Sequence, residues 1–257
     1  MLLAVDIGNT NIVFGCVTDN DKIVVSERIS TNHNATAAEY ASLIKNILEM
    51  NDFKCSDIDD AVMSSVVPSV TNTVKTAIRK LFGVEAMTAG PGVKTGLNIL
   101  IDNPRQLGSD QAVDAVAAIN TYPAPLIIID MGTATTISVI DKNKNYLGGL
   151  IMTGMGVAAD ALINRTAQLP KIDFELPPNI IGRNTIDCMK SGALYSNACA
   201  IDGIIERIED ELGERCTAVA TGGLSSTVIP LCRKKIHIDN DLLIRGLTII
   251  YHKNKKK

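Results

Sequence analysis

No two of the six cysteines form a CxxC pair; Cys16, Cys55, Cys188, Cys199, Cys216 and Cys232 are scattered along the chain. That spacing sets aside a structural zinc cluster and a disulfide framework, and it reads as small buried hydrophobes in a reducing compartment. Histidine is scarce too: His33, His237 and His252 stand at no ligand spacing from one another or from a cysteine. Basic charge is not in excess. A formal net charge of −3 gives nucleic acid no field to respond to. The one basic run, "KNKKK" at 253–257, reads as a solvated, frayed end. No apolar run approaches the ~20 residues of a membrane helix, and no basic stretch with a cleavage site precedes the first strand-like run. A cytosolic protein without membrane or nucleic-acid partners is the expectation. The signature GxxxxGK[ST] is missing and no GxGxxG follows the first strand, which sets aside P-loop and dinucleotide folds.

What is present is apolar and patterned. Of 257 residues, 46% are hydrophobic and 21% charged, enough for one large core or two medium ones. "LLAVDIGNTNIVFGCV" (2–17) reads as a strand, a tight loop and a second strand. The polar turn "TDNDK" (18–22) then leads into a third strand, "IVVSERIS" (23–30). Ala41, Leu43, Ile44, Ile47 and Leu48 have helical spacing within 36–50. "DAVMSSVVPSV" (60–70) reads as a short buried strand ending at Pro68, followed by a helix over 71–82.

Residues 126–145, "LIIIDMGTATTISVIDKNKN", repeat residues 2–21, "LLAVDIGNTNIVFGCVTDND", at an offset of 124 without a gap. Asp130 then falls on Asp6, Gly132 on Gly8 and Thr133 on Asn9. Use of one supersecondary unit twice predicts an α/β protein of two similar halves, divided as 1–115 and 116–257. The halves are expected to face a central cleft, where small-molecule sites occur.

The residue types in these loops suit a phosphate ligand. Gly8 and Gly132 let the backbone approach closely, and Asn9, Thr10, Thr133, Thr135 and Thr136 offer amides and hydroxyls without bulk. Asp6 and Asp130 repel phosphate directly, so each is better suited to a cation, or cation-bound water, that bridges to it. Gly222 and Gly223, in "TAVATGGLSS" (217–226), either admit a flat ligand such as a nucleotide base or make a plain strand-to-helix turn. Asp110 opens a helix at "GSDQAVDAV", where it is equally a cap or a carboxylate orienting an acceptor hydroxyl. Gly148 and Gly149 indicate close backbone approach, to a ligand or to a neighbouring strand. The apolar face of 181–212 belongs either to a core helix or to a subunit contact.

Together these stretches resemble the type III pantothenate kinases, of the actin-like (ribonuclease H-like) acetate and sugar kinase superfamily. The resemblance runs over essentially the whole chain, through "DIGNTN" (6–11), "SSVVP" (64–68), "DNPRQLGSD" (102–110), "DMGTATT" (130–136), "GGLIMTG" (148–154), "LINRTAQLP" (162–170), "GRNT" (182–185), "ATGGL" (220–224) and "LLIRGLTIIYHKN" (242–254). It implies that Asp6, Gly8, Asn9, Thr10, Asn11 and Val13 belong to the ATP phosphate segment, with Gly132, Thr133, Gly222 and Gly223 also on the nucleotide. Asp110 becomes the general base within a substrate loop of Gly108, Ser109 and Gln111, with Ile101 and Thr185 on the pantothenate side. Asp130 becomes the ligand of a monovalent cation, potassium or ammonium, and Mg-ATP is required besides; Asp6 is the second candidate metal ligand. The implied assembly is a homodimer with substrate sites near the subunit interface, and the implied product is 4'-phosphopantothenate, the first intermediate of coenzyme A synthesis.

Three positions depart from the family pattern: Gln111 in place of arginine, Ile101 in place of tyrosine, and Thr153 in place of proline. A neutral amide does not replace arginine's charge-assisted bond to a carboxylate. Two rival readings follow: a kinase retuned to another hydroxylated small molecule, and a nucleotide-binding paralogue acting through a protein partner. Retention of Asp6, Asp110 and Asp130 speaks against the second, because a binding module has little use for a base.

Overall fold

The structure, a computed structural model, describes residues 1–255. It resolves into two compact units, one of Met1–Leu97, Asn103–Asn120 and the segment beginning at Asp241, the other of Asn98–Asp102 and Thr121–Asn240.

In the first unit, β1 (Leu2–Ile7) pairs antiparallel with β2 (Asn11–Val17) and parallel with β4 (Asp60–Ser65). β3 (Ile23–Ser30) and β5 (Met87–Thr88) complete a sheet of order β3-β2-β1-β4-β5. Successive side chains of a strand point to opposite faces. Leu3, Val5 and Ile7 therefore pack with Tyr40 and Ile44 of α1 (Ala37–Met50) and Val74 and Ile78 of α2 (Pro68–Phe82). Leu2 and Ala4 meet Val113 and Val116 of α3 (Ser109–Thr121) and Ile244, Leu247 and Ile250 of α7 (Leu242–Asn254). Helices on both faces explain why β1 is nearly all apolar. Asp6 shares the parity of Leu2 and Ala4, so it lies on the face that α3 covers.

The helix ends follow local chemistry. Thr36 caps α1 in a reciprocal box with Glu39. Pro68 does not end a strand, as the sequence suggested; β4 stops at Ser65 and Pro68 opens α2, where its missing N–H is no loss.

The second unit has the sheet order β11-β10-β7-β8-β9-β6. Its strands are β6 (Asn98–Ile99), β7 (Leu126–Met131), β8 (Ala134–Ile140), β9 (Asn145–Thr153), β10 (Thr217–Thr221) and β11 (Ile236–Ile238). Ile127, Ile129 and Met131 pack with Leu194, Ala198, Ile201 and Ile205 of α5 (Thr185–Leu212), so the long helix is a core helix of this unit. α4 (Met155–Asn164) and α6 (Ser225–Val228) complete it.

The repeat is deeper than the sequence showed, and its alignment needs one correction. β7 follows β1 at an offset of 124, but β8 follows β2 at 123: Asp6 pairs with Val13 and Asp130 with Thr136. Two residues, Asn9 and Thr10, stand between Gly8 and β2, whereas Thr133 alone stands between Gly132 and β8. Thr133 therefore corresponds to Thr10, not Asn9. Equivalent bonds confirm the shift, with Gly8 N–H to Asn11 O at 2.9 Å matched by Gly132 N–H to Ala134 O at 3.0 Å. The third strand repeats too, since Asn11 pairs with Ser30 as Ala134 pairs with Thr153.

Other expectations also change. Residues 241–255 return to the first unit and Asn103–Asn120 belongs to it, so the division differs from a single cut after residue 115. The basic tail is docked rather than frayed as far as it is described. Asn254 exchanges hydrogen bonds with the Lys94 backbone (2.9 and 3.0 Å) and Lys253 Nζ donates to Thr95 O at 2.8 Å; residues 256 and 257 lie outside the described residues. Cys16 is buried as expected, but Cys188 and Cys199 are exposed and all six thiols are free. No helix among the described residues is long and apolar enough to cross a membrane.

Candidate active site

β1 ends by presenting Asp6 beside Ser64 of β4, its neighbour in the parallel ladder. Ser64 is fully buried and donates its hydroxyl to Asp6 Oδ1 at 2.5 Å. The chain then turns sharply. Thr31 donates its hydroxyl to Gly8 O at 2.6 Å and its N–H to Thr10 O at 2.8 Å, which fixes the loop and leaves Asn9 and Thr10 exposed at its tip. Asn11 begins β2, and Val13 lies opposite Asp6 with its side chain against the α3/α7 core.

Asp110 lies in the first turn of α3. Gly108 O accepts from Ala112 N–H at 3.0 Å, Asp110 Oδ1 accepts from Gln111 N–H at 2.8 Å, and Ser109 Oγ donates to Ser65 O at 3.2 Å. The first unit thus brings Asp6, Gly8, Asn9, Thr10, Asn11, Gly108, Ser109, Asp110 and Gln111 to the end of its sheet where β1 and β4 finish. A carboxylate at a strand end and another on the adjoining helix start suit a cation-bound phosphate and an acceptor hydroxyl respectively.

In the second unit, Asp130 is the penultimate residue of β7, pairs with Thr136 of β8, and has Thr221 of β10 as its parallel neighbour. Gly222 follows with φ +90°, and a β-carbon on it would stand 2.5 Å from Asp130 Oδ1. Only glycine allows this turn to lie against the carboxylate. Ser225, fully buried, donates its hydroxyl to Gly222 O at 2.8 Å and holds the turn, while Gly223 is exposed. Gly132 and Thr133 form the exposed tip beside Asp130, with Thr133 O accepting from Gly154 N–H at 3.2 Å. Asp130, Gly132, Thr133, Gly222 and Gly223 are therefore neighbours.

Two expected residues sit elsewhere in that unit. Ile101 packs near Gly148, 3.7 Å from where its β-carbon would be. Thr185, exposed, opens α5 after its cap Asn184 and lines a cavity of about 690 Å³ with Arg183, Leu162, Met189 and Asn197. Lys190 pins residues 173–175 to α5 through Asp173 and Glu175, and the bond to Asp173 raises its pKa above the ordinary lysine value. The glycine ambiguity resolves toward a strand neighbour, because a β-carbon on Gly149 would stand 1.9 Å from Ile137 O of β8.

Sequence reasoning gave no role to Ser64 and Ser65. Their signal was available: two adjacent hydroxyls following the apolar run of Ala61, Val62 and Met63 in "DAVMSS". Among the described residues no three histidine, cysteine, aspartate or glutamate side chains converge as a metal cage. Asp6 and Asp130 each offer a single carboxylate instead, a donor that suits a cation whose remaining ligands are substrate oxygens and waters.

A family model described as type III pantothenate kinase matches residues 2–207. A protein named type III pantothenate kinase from an Exiguobacterium species is 42% identical over 256 residues, covering 100% of both chains. One of the same name from Brevibacillus brevis is 41% identical over 99% of this chain and 100% of its own. Among solved structures, component A of (R)-2-hydroxyglutaryl-CoA dehydratase from Acidaminococcus fermentans aligns with a TM-score of 0.55 at 14% identity, covering 99% of each chain. That likeness shows the fold, the actin-like one of ATPases and sugar kinases.

Proposed function

The chain belongs to the type III pantothenate kinase family, and from that premise we propose how its own residues carry the reaction. It phosphorylates pantothenate with ATP to 4'-phosphopantothenate, the first step of coenzyme A synthesis. Asp110 orients the acceptor hydroxyl and takes its proton as the oxygen attacks the γ-phosphorus. The loop of Gly8, Asn9, Thr10 and Asn11, and that of Gly132 and Thr133, offer amides and hydroxyls to the phosphates. Gly222 and Gly223 admit the adenosine. Asp6 serves the Mg²⁺ of Mg-ATP, and Asp130 a potassium or ammonium ion. These cations, when bound, neutralise charge on the transferring phosphoryl group. Gly108, Ser109, Gln111, Ile101 and Thr185 are assigned to the pantothenate side.

The observation that carries this reading is the duplicated strand-end aspartate. Asp6 and Asp130 are the penultimate residues of equivalent strands in one three-stranded unit used twice, each followed by a glycine turn with an equivalent internal hydrogen bond. A homodimer and a cytoplasmic location complete the proposal. In support of the dimer, the exposed large apolar side chains among the described residues, Leu43 and Met50 apart, all belong to the second unit; Ile151 and Ile181 are each 77% exposed.

The test is a coupled ADP-release assay with pantothenate, run in potassium and again in sodium. Potassium-dependent turnover that disappears in Asp110→Asn and Asp130→Asn supports the reading. Undiminished turnover in either variant removes that residue from it.

A further inference from the structure

Asp6 and Asp110 come from different elements, yet both are tied to one dipeptide at the end of β4. Ser64 donates to the Asp6 carboxylate at 2.5 Å, and the next carbonyl, Ser65 O, accepts from Ser109 Oγ at 3.2 Å, where α3 begins. Ser65 is itself held: its hydroxyl accepts from Val67 N–H at 3.1 Å and lies 2.8 Å from Thr71 Oγ1 in the first turn of α2.

We propose that Ser64 and Ser65 position the two carboxylates of phosphoryl transfer, Ser64 by fixing the rotamer of Asp6 and Ser65 by fixing the start of α3 that carries Asp110. The proposal rests on the roles given above to Asp6 and Asp110. Ser64 has no exposure, and the strand residues before it, Ala61, Val62 and Met63, are fully buried apolar groups. At such a place an alanine would pack without a polar group to satisfy, and a buried hydroxyl is sustained only by its partner. Here that partner is a carboxylate, the stronger kind of acceptor. A second observation points the same way. The ladder position beside Asp130 is filled by Thr221, again a buried hydroxyl residue. Both copies of the unit thus set a hydroxyl in register with the aspartate, in neighbouring strands that read "DAVMS" and "TAVAT".

The test compares Ser64→Ala, Ser64→Thr, Ser109→Ala and Asp6→Asn in the full-length enzyme, with Mg²⁺ titrated at fixed ATP. Ser64→Ala is expected to raise the Mg²⁺ needed for half-maximal rate and the Mg-ATP KM by about ten- to a hundredfold, with the pantothenate KM unchanged. Ser64→Thr, which copies the second unit, keeps both close to wild type. Ser109→Ala lowers kcat without moving the Mg-ATP KM. A Ser64→Ala enzyme that melts lower yet keeps wild-type Mg²⁺ dependence, while Asp6→Asn is inactive, shows Ser64 to be purely structural and overturns the proposal. An unchanged kcat in Ser109→Ala overturns the Ser65 half. Wild-type behaviour of Asp6→Asn removes the role of Asp6 itself, and the proposal with it. If Ser64→Ala does not fold, Ser64→Cys, with its weak thiol donor, carries the same comparison: unaltered Mg²⁺ dependence there also overturns it.

Discussion

Gly222 lies against Asp130 so closely that a β-carbon on the glycine would stand 2.5 Å from the carboxylate Oδ1 and 2.6 Å from Met131 N. The Met131 contact is with backbone, which cannot give way without moving β7, and φ at Gly222 is +90°. Gly222→Ala is therefore expected to lower the melting temperature, with a stability loss on the order of 1–3 kcal/mol from strain at the turn, and to cut turnover. Thermal denaturation and ADP release measured on one preparation check this. Wild-type values for both would mean that the turn moves freely from Asp130.

Asp110→Asn should leave nucleotide binding intact and lower kcat by about 10²–10⁴-fold, the range for loss of a positioned general base. Titration calorimetry with a non-hydrolysable ATP analogue separates binding from chemistry. Loss of nucleotide affinity in this variant would assign Asp110 to the nucleotide instead.

Gln111→Arg restores a guanidinium within the first turn of α3. If that position faces the pantothenate carboxylate, the variant gains a charge-assisted bond worth ~1.5–3 kcal/mol, or about ten- to a hundredfold in pantothenate KM. Steady-state kinetics on pantothenate and on pantothenol, which lacks the carboxylate, provide the check. An equal change for both acceptors would rule out a carboxylate contact.

Thiol reactivity should divide the cysteines. Burial pushes Cys16 up to about 11, Cys216 to about 11 and Cys232 to about 12. A raised thiol pKa keeps the protonated, unreactive form at pH 8, since the thiolate is the nucleophile. Cys188 and Cys199 are exposed, so iodoacetamide on the native protein at pH 8 is expected to label these two first. Peptide mass mapping identifies the sites; early labelling of Cys16 would contradict its burial.

The sequence made the strand–turn–strand unit and its recurrence plain, because buried strands covered on both faces must be nearly all apolar and Asp-Ile-Gly and Asp-Met-Gly stand out against them. It did not reveal that the second turn is one residue shorter. An ungapped comparison matches apolar positions almost equally well, and only the ladder, with Asp130 opposite Thr136, fixes the register. Ser64 was hidden for a related reason: its meaning depends on the strand that lies beside it, 58 residues earlier. The same holds for α7, whose apolar spacing is visible but whose destination against β1 is not. Ile101 and Thr185 were legible only through the resemblance; their surroundings, the Gly148 backbone and a cavity lined largely by apolar groups, have no local signature.

The return of α7 to the first unit also has a bearing on how the chain is made. Synthesis runs from the N-terminus, and domains generally fold as they emerge. Here Leu2 and Ala4 on β1 wait for Ile244, Leu247 and Ile250 to cover them, while every residue of the second unit has been made by Asn240. The unit that begins first is finished last. A ribosome-bound chain with residues 1–240 extruded should show Thr121–Asn240 resistant to protease and the first unit cut, and resistance throughout would contradict this order. Until α7 leaves the exit tunnel, the nascent protein carries Asp6 on a half-clad sheet while Thr121–Asn240 is already made.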